Sequence, residues 1–342
     1  MSGPDYRFSR ALKVLLERKE LPELSHWFAA LLDGQLGDVE ATAMLVALRT
    51  KGESARDLAL AARELRKRMV PFDAGRDDVL DTCGTGGDDA GTFNISSAVA
   101  FVVAGAGVPV VKHGNRAVSG TTGSSDALRA LELPVDAGPN WARRCFDASL
   151  LAFCFAPDYH PALVRLGDLR RRLGVRTIFN CLGPLAHPAN AAFQLIGVGR
   201  PELLDPMAGA LAELGVRRAI LVCGEGGFDE VSLWGPTEVR EVRLNVVRSL
   251  TWTPEDFGVG RATLSDLRVS DAATSAAIIE DVLADRDGPA RRIVVVNAAA
   301  ALYAAGRAGS LLDGVAVAAE ALSSGRARNV LERMRAVDPR PQ

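Results

Sequence analysis

From Phe8 to Met69 apolar residues recur at helical spacing. Leu12, Leu15 and Leu16 make one face, and Leu24, Trp27, Phe28, Leu31 and Leu32 make another that ends at Gly34. Asp38 is placed to cap a helix over Val39 to Lys51 with Met44, Leu45 and Leu48 inward, and Gly52 stops it. Ser54 caps the next, which carries Leu58, Ala61, Ala62, Leu65 and Met69. Successive helices with no strand between them predict a small all-helical domain over residues 1–70. Its apolar stripes exceed what a lone bundle of that size buries, so a further helix pair or a partner subunit is expected to cover the rest.

The segment Pro71 to Arg76 breaks the helical period and reads as a linker. Beyond it, short apolar runs at Val79 to Thr82, Val108 to Val111 and Leu150 to Phe155 alternate with helical patterns at 96–105 and 124–132. Helical signals return from Ala162 to Leu173. Strand patterns at Gln194 to Val198 and Ala219 to Cys223 flank a helix over Pro201 to Leu214, and Thr237 to Leu244 alternates apolar with charged positions. Helices at Ser270 to Leu283, Val296 to Ala305, Gly314 to Leu322 and Arg326 to Arg335 close the chain ahead of a short tail. The order predicts an α/β fold in which a small helical domain joins a large domain with a mostly parallel central sheet flanked by helices.

A chain of 342 residues can bury a large core as one domain or two. Its formal net charge of -2 argues against a general nucleic-acid or membrane-surface binder. Five cysteines, widely spread and never in a Cys-x-x-Cys pair, point to reduced thiols rather than a disulfide framework or a zinc knuckle. The apolar run from Ala98 to Val111 is interrupted by Gly105, Gly107 and Pro109 and falls short of the roughly 18–20 residues that span a bilayer. With no export signal visible after Met1, a soluble cytoplasmic protein is expected.

Candidate chemistry concentrates between residues 78 and 126. Gly84-Thr85-Gly86-Gly87-Asp88 follows a strand seed with almost no side-chain bulk, so backbone N–H groups can approach an anion closely. Thr92-Phe93-Asn94-Ile95-Ser96-Ser97 brings hydroxyls and an amide to the start of a helix, where backbone donors lack intrahelical partners. A second strand delivers Lys112-His113-Gly114-Asn115-Arg116 and then the hydroxyl-rich run to Asp126. The set fits a ligand carrying several phosphates at separated positions. Further along, Asp229 and Glu230 follow a glycine-rich turn at the end of a strand. Paired carboxylates there suit a hard cation, magnesium above all, that keeps waters and shares oxygens with a phosphorylated substrate. No Ser-His-Asp or Cys-His constellation, no Gly-Lys-Ser/Thr loop and no intact Gly-x-Gly-x-x-Gly with a ribose-binding acid is present.

Gly84 to Asp88, Asn94 to Ser97 and Lys112 to Arg116, in that order, resemble signature segments of the anthranilate phosphoribosyltransferase family, and the resemblance extends over nearly the whole chain. It implies transfer of a 5-phosphoribosyl group from phosphoribosyl diphosphate to the amine of anthranilate. It also implies that residues 160–185 return to the helical domain, which leaves 77–157 and 186–338 as the α/β domain, and that the protein is a homodimer joined through its helices. The sugar diphosphate would meet Gly84, Gly87, Asp88, Thr92, Asn94, Ile95, Ser96, Ser97, Lys112, His113, Gly114, Asn115, Arg116, Ala117, Val118, Ser119, Gly120 and Ser124. Anthranilate would meet Gly84, Asn115 and Arg170, with His160 and Pro184 as walls of its channel. Two magnesium ions would be held through Ser96, Asp229 and Glu230. No covalent nucleophile is assigned, because a departing diphosphate needs charge neutralised and the neutral aromatic amine needs positioning more than deprotonation.

A guanidinium is the natural partner of the acceptor's carboxylate. Spacing alone cannot choose among Arg170, Arg171 and Arg172; the resemblance picks Arg170, and Arg172 and Arg176 read as helix-surface or packing charges. The chain departs from the family pattern at Gly120-Thr121-Thr122 after Ser119, at Leu133-Pro134, at His187 where asparagine is usual, and at Cys223 where histidine is frequent. Two other readings have discriminators. A pyrimidine-nucleoside phosphorylase would carry a Lys-x-Ser loop that is not visible, and a non-catalytic nucleic-acid binder would not have an acidic balance.

Overall fold

The computed structural model describes residues 6–116 and 122–340. The chain opens with α1 (Tyr6–Leu16), α2 (Leu24–Leu32), α3 (Asp38–Lys51) and α4 (Ala55–Arg66). At the start of α4, Ser54 Oγ caps the helix as expected by accepting from the Asp57 N–H, and the Asp57 carboxylate accepts in return from the Ser54 N–H. There follow β1 (Leu80–Gly84), α5 (Ile95–Gly105), β2 (Val110–Gly114), α6 (Ser124–Ala130), α7 (Pro139–Ser149) and β3 (Leu151–Phe155). Four short helices come next: α8 (Ala156–Tyr159), α9 (Pro161–Arg165), α10 (Gly167–Leu173) and α11 (Phe179–Leu185). The sheet resumes with β4 (Phe193–Gly197), α12 (Leu204–Leu214), β5 (Arg218–Gly224), β6 (Thr237–Arg243) and β7 (Val246–Trp252). Helices α13 (Ala272–Leu283), α14 (Pro289–Ala304), α15 (Leu311–Ser323) and α16 (Arg326–Arg335) finish the chain.

The sheet has seven strands in the order β3-β2-β1-β4-β5-β6-β7. All neighbours from β3 to β5 are parallel, and β5–β6 and β6–β7 are antiparallel. Chain order reverses between β1 and β4, and β1, β2, β4 and β5 each end on a glycine at the same edge: Gly84, Gly114, Gly197 and Gly224. In open sheets of this kind ligands bind outside the carboxyl ends of the strands at such a reversal.

On one face of the sheet α5 is apolar all round, buried from Ser97 to Ala104, and packs against α14, α15 and α16. The other face shares a single apolar core with the N-terminal helices, α9 to α11 and α12: Leu58, Leu65, Phe179, Leu182, Met207 and Leu221 all belong to it. Helix α4 packs on α2, α11 and α12, which cover much of the apolar surface that the N-terminal pattern leaves over. Leu16, Val39 and Val46 remain exposed.

Three elements go beyond what the pattern predicts. Strand β7 follows a hairpin turn at Leu244-Asn245, both with positive φ (48° and 66°), without the Asn-Gly or Asp-Gly pair that usually signals such a turn. Helix α11 contains Gly183 and Pro184, both breakers by propensity, and is held by burial of Phe179, Cys181, Leu182 and Leu185. Helix α7 starts at Pro139 directly after Gly138 and turns Trp141, Ala142, Cys145 and Phe146 inward. All five cysteines are free and buried. No helix among the described residues is long and apolar enough to cross a membrane.

Candidate active site

A cleft of about 350 Å³ opens at the glycine-terminated edge of the sheet. Of the residues singled out from the sequence, Gly84, Gly87, Asp88, Thr92, Asn94, Ile95, Ser96, Lys112, His113, Gly114, Asn115, Arg116, Ser124, Arg170, Asp229 and Glu230 all line it. Ser97 does not: its side chain is buried behind the wall, against Lys112, Phe101 and Phe153, with Oγ unpaired. Ala117, Val118, Ser119 and Gly120 lie outside the described residues.

The glycine loop is built by its neighbours. The Thr85 N–H donates to the Gly197 carbonyl at 2.8 Å, and Thr85 Oγ1 accepts from the Gly199 N–H at 3.2 Å. Asp88 Oδ1 accepts from the Ala90 N–H, which closes the turn. From Gly91 to Phe93 the chain is tied to the segment before α13, through Val269 N–H to Gly91 O at 2.9 Å and Phe93 N–H to Leu267 O at 3.0 Å. Asn94 Oδ1 accepts from Ser275 Oγ and Thr122 Oγ1 at 2.8 and 3.1 Å, leaving its NH₂ group for the cleft. Neither Ser275 nor the 267–269 segment carries a local sequence signal for this role, since both come from far along the chain.

Asp229 and Glu230 cross directly over the strand ends. A Cβ placed on Gly84 would stand 2.8 Å from Asp229 Oδ2, and one on Gly197 would overlap the Asp229 carbonyl at 1.7 Å. The Gly86 N–H and the Asp88 carboxylate face Asp229, and the Ser96 N–H at the start of α5 faces Glu230. Burial pushes the carboxyls of Asp229 and Glu230 up, and the negative charge of their neighbours adds to it: Asp88 on Asp229, Asp229 on Glu230. Asn297 of α14, fully buried, clamps the pair from behind by donating to the Val231 carbonyl and accepting from the Val231 N–H at 2.8 Å. It stands in an alanine-rich helix that the pattern marks only as core.

These residues fit a magnesium ion. Buried carboxylates that repel one another and lie beside a glycine loop are stabilised by a divalent cation. Among the described residues, no group of three or more His, Cys, Asp or Glu side chains could hold a metal by itself. Lys112 is buried behind Ser96; its Nζ donates to Ser96 Oγ at 3.1 Å and to the Thr82 carbonyl. Burial lowers the lysine's pKa, against the opposing pull of Asp81, Glu230 and Asp229.

Next to the glycine loop a smaller cavity of about 160 Å³ is lined by Gly84, His113, Asn115, His160, Arg170, Phe179 and Pro184 among others. The structure separates the arginines that spacing leaves equivalent. Arg171 pairs with Asp168 at 3.2 Å and Arg172 with Asp38 at 3.1 Å, both on the exterior. Arg170 turns inward over the Phe179 ring, 5.4 Å from its centroid, and has no carboxylate partner among the described residues. Arg176 is the exception to its surface reading: it lies in the cleft, donating to the Thr85 carbonyl at 2.7 Å.

Behind the smaller cavity His113, His160 and His187 form a buried cluster, with ring centroids 4.9 Å apart for His113–His160 and 6.1 Å for His113–His187. His187 Nδ1 accepts from the N–H groups of Ala189 and Ala191, so its Nε2–H donates to the Val111 carbonyl at 2.7 Å and the ring is neutral. Imidazole thus supplies one acceptor and one donor, as an asparagine amide does. Burial pushes His113 down to about 4 and His160 to about 3 and lowers His187, despite Asp81 nearby; neighbouring rings, Lys112 and Arg66 oppose protonation further. A histidine kept neutral by the fold contributes stability that is full above its unfolded pKa of about 6.5 and is lost as pH falls toward the folded value. In urea titrations, His187→Asn is therefore expected to gain on the wild type as pH falls below about 6.5, by at most about 1.4 kcal/mol per pH unit. Parallel curves as pH falls would show that His187 is not held neutral.

Comparison with known proteins places this geometry in a class. Residues 11–69 match the family model "Glycosyl transferase family, helical bundle domain", and residues 76–328 match "Glycosyl transferase family, a/b domain". The fold and site are thus those of a glycosyl transferase. Anthranilate phosphoribosyltransferase of Symbiobacterium thermophilum is 45% identical over 326 residues, 95% of this chain and 96% of the relative. The crystal structure of the Thermus thermophilus enzyme has a TM-score of 0.88 at 40% identity, covering 96% of this chain and 98% of that one. The Saccharomyces cerevisiae enzyme in complex with PRPP and Mg also has a TM-score of 0.88, at 26% identity and 98% of both chains. The chain belongs to the anthranilate phosphoribosyltransferase family.

Proposed function

We propose that the protein transfers the 5-phosphoribosyl group of phosphoribosyl diphosphate to the amine of anthranilate, giving N-(5-phosphoribosyl)anthranilate and diphosphate, a step of tryptophan biosynthesis. The bond from ribose C1 to the diphosphate oxygen breaks, the amine nitrogen bonds to C1, and the amine gives up a proton. The observation that carries this reading is the convergence on one cleft of the glycine loop, the Asp229–Glu230 pair and an inward Arg170 with no acid partner among the described residues. Asp229, Glu230 and Ser96 would hold magnesium, through two ions, and the metal supplies positive charge against the departing diphosphate. The backbone N–H groups of the glycine loop and of the start of α5 bind phosphate oxygens, and Lys112 adds charge from behind Ser96. Arg170 takes the acceptor's carboxylate in a two-pronged grip above Phe179, and Asn115 and the Gly84 backbone border the same cavity.

The division into a helical unit (1–70 with 160–185) and an α/β unit (77–157 and 186–338) is part of this proposal; Leu169, Ile178 and Leu182 are buried with residues of α1 to α4, in a core that also takes in Ile196, Met207 and Leu221 of the α/β unit. A homodimer through the N-terminal helices is supported by exposed Leu16, Val39 and Val46. Mixing the purified protein with both substrates and magnesium is expected to extinguish anthranilate's fluorescence as the product forms. A constant signal across a wide magnesium range would remove the assignment. Arg170→Gln is expected to raise the acceptor's KM about 100-fold or more while leaving the donor's KM within about twofold, since charge-assisted bonds to one substrate only are lost. An equal rise in both constants would place Arg170 elsewhere in the site.

A further inference from the structure

Arg176 stands on the turn between α10, which carries Arg170, and α11, which begins with Phe179. Its guanidinium nevertheless reaches the opposite wall of the cleft. Nη2 donates to the Thr85 carbonyl at 2.7 Å, and Nη1 lies 1.1 Å from the place a Cβ on Gly87 would take. The φ of +75° favours glycine at position 87, and the absence of a Cβ there leaves room for the end of the arginine side chain. Arg176 has no carboxylate within ion-pair distance among the described residues, although it lies inside the lining of the cleft. A half-buried guanidinium that spends its donors on one neutral carbonyl, on the loop whose amides face phosphate, has a stronger partner available in a phosphate oxygen.

Arg176 and Arg170 belong to one short stretch of chain. Gly174 ends α10 in the left-handed conformation, the Thr177 N–H is fixed to Asn180 Oδ1 at 3.0 Å, and the Phe179 ring underlies Arg170.

We propose that Arg176 couples the donor and acceptor halves of the site. When the sugar diphosphate binds, the guanidinium leaves the Thr85 carbonyl for a diphosphate oxygen and draws the segment from Arg170 to Phe179 against the glycine loop. The acceptor seat is completed only then. This rests on the transferase reading above.

The test uses the full-length protein and an unreactive pair, anthranilate with magnesium diphosphate, read by anthranilate fluorescence. In the wild type, saturating magnesium diphosphate is expected to tighten anthranilate binding about fivefold or more, a ratio that must be the same in either order of addition. Arg176→Gln is expected to bring the ratio to about one while changing anthranilate's affinity in the absence of diphosphate by less than about twofold. Arg176→Lys, which keeps charge without the fork, should restore part of it. A wild-type ratio of one, or an Arg176→Gln ratio equal to the wild type's, would overturn the coupling. So would a lowered melting temperature with the ratio intact, which marks a packing role. Wild-type turnover of the true substrates keeps the two ideas apart: its absence removes the transferase reading, and its presence with an unchanged ratio in Arg176→Gln removes only the coupling.

Discussion

The double variant Asp229→Asn, Glu230→Gln is expected to lose transfer activity by a factor of about a thousand or more and to melt several degrees higher than the wild type measured without magnesium. The first effect follows from charge. Neutralising a departing diphosphate by a held cation is worth several kcal/mol, and about 4 kcal/mol corresponds to a thousandfold. The second follows from burial. Both carboxyls have their pKa raised in the folded state, so the stability they contribute is present at low pH and lost as pH rises through the folded values. Near pH 8 the folded protein must either ionise the pair against desolvation and mutual repulsion or keep protons that the unfolded chain has released, and both cost stability; neutral amides of the same shape avoid both. Magnesium should raise the wild type's melting temperature and leave the variant's unchanged. A variant that is inactive and also less stable at pH 8 would mean that the pair holds the fold together rather than storing charge for a ligand.

Gly197→Ala is expected to cost about 3 kcal/mol of stability and about 100-fold or more in kcat/KM. Gly197 sits at the end of β4, paired with Gly84 on β1 and Val222 on β5, and the Asp229 carbonyl crosses directly above it. An alanine methyl would stand 1.7 Å from that oxygen, and both partners are backbone, so no side-chain rotation relieves the contact. Either the strand or the acid turn must shift by about an ångström or more, and a displacement of about that size in positioning groups costs about 100-fold in rate. Gly260→Ala, whose nearest contact would be Arg292 at 4.0 Å, is the control and should behave as wild type. Wild-type activity in Gly197→Ala would show that the acid turn is not seated on the strand ends.

Much of this site is legible in the sequence because its parts are local. Glycine loops, hydroxyls at a helix start and adjacent carboxylates after a strand announce themselves in a few consecutive residues, and Gly84, Asn94, Lys112 and Asp229 do come together at one edge of the sheet. What stays hidden depends on long-range packing. Asn297, Ser275 and Arg268 reach the site from far along the chain and read as ordinary helix or loop positions until the sheet brings them round. Ser97 shows the opposite error: a hydroxyl beside Ser96 shares its motif, but successive helical side chains point about 100° apart, and Ser97 faces the core. Arg176 reads as a surface charge because nothing in its neighbourhood marks the turn that swings it over Gly87. Strand β7 lacks a turn signal, and α11 forms because burial overrides the poor propensity of Gly183 and Pro184.

The most direct test of the central claim is a crystal structure with phosphoribosyl diphosphate and manganese in place of magnesium, in which the ion's anomalous signal marks its position. The geometry of the cleft predicts manganese coordinated by carboxylate oxygen of Asp229 or Glu230 and by oxygen of the diphosphate, with the phosphates on the glycine loop from Gly84 to Asp88. An ion bound to neither carboxylate, or a diphosphate lying away from that loop, would contradict it.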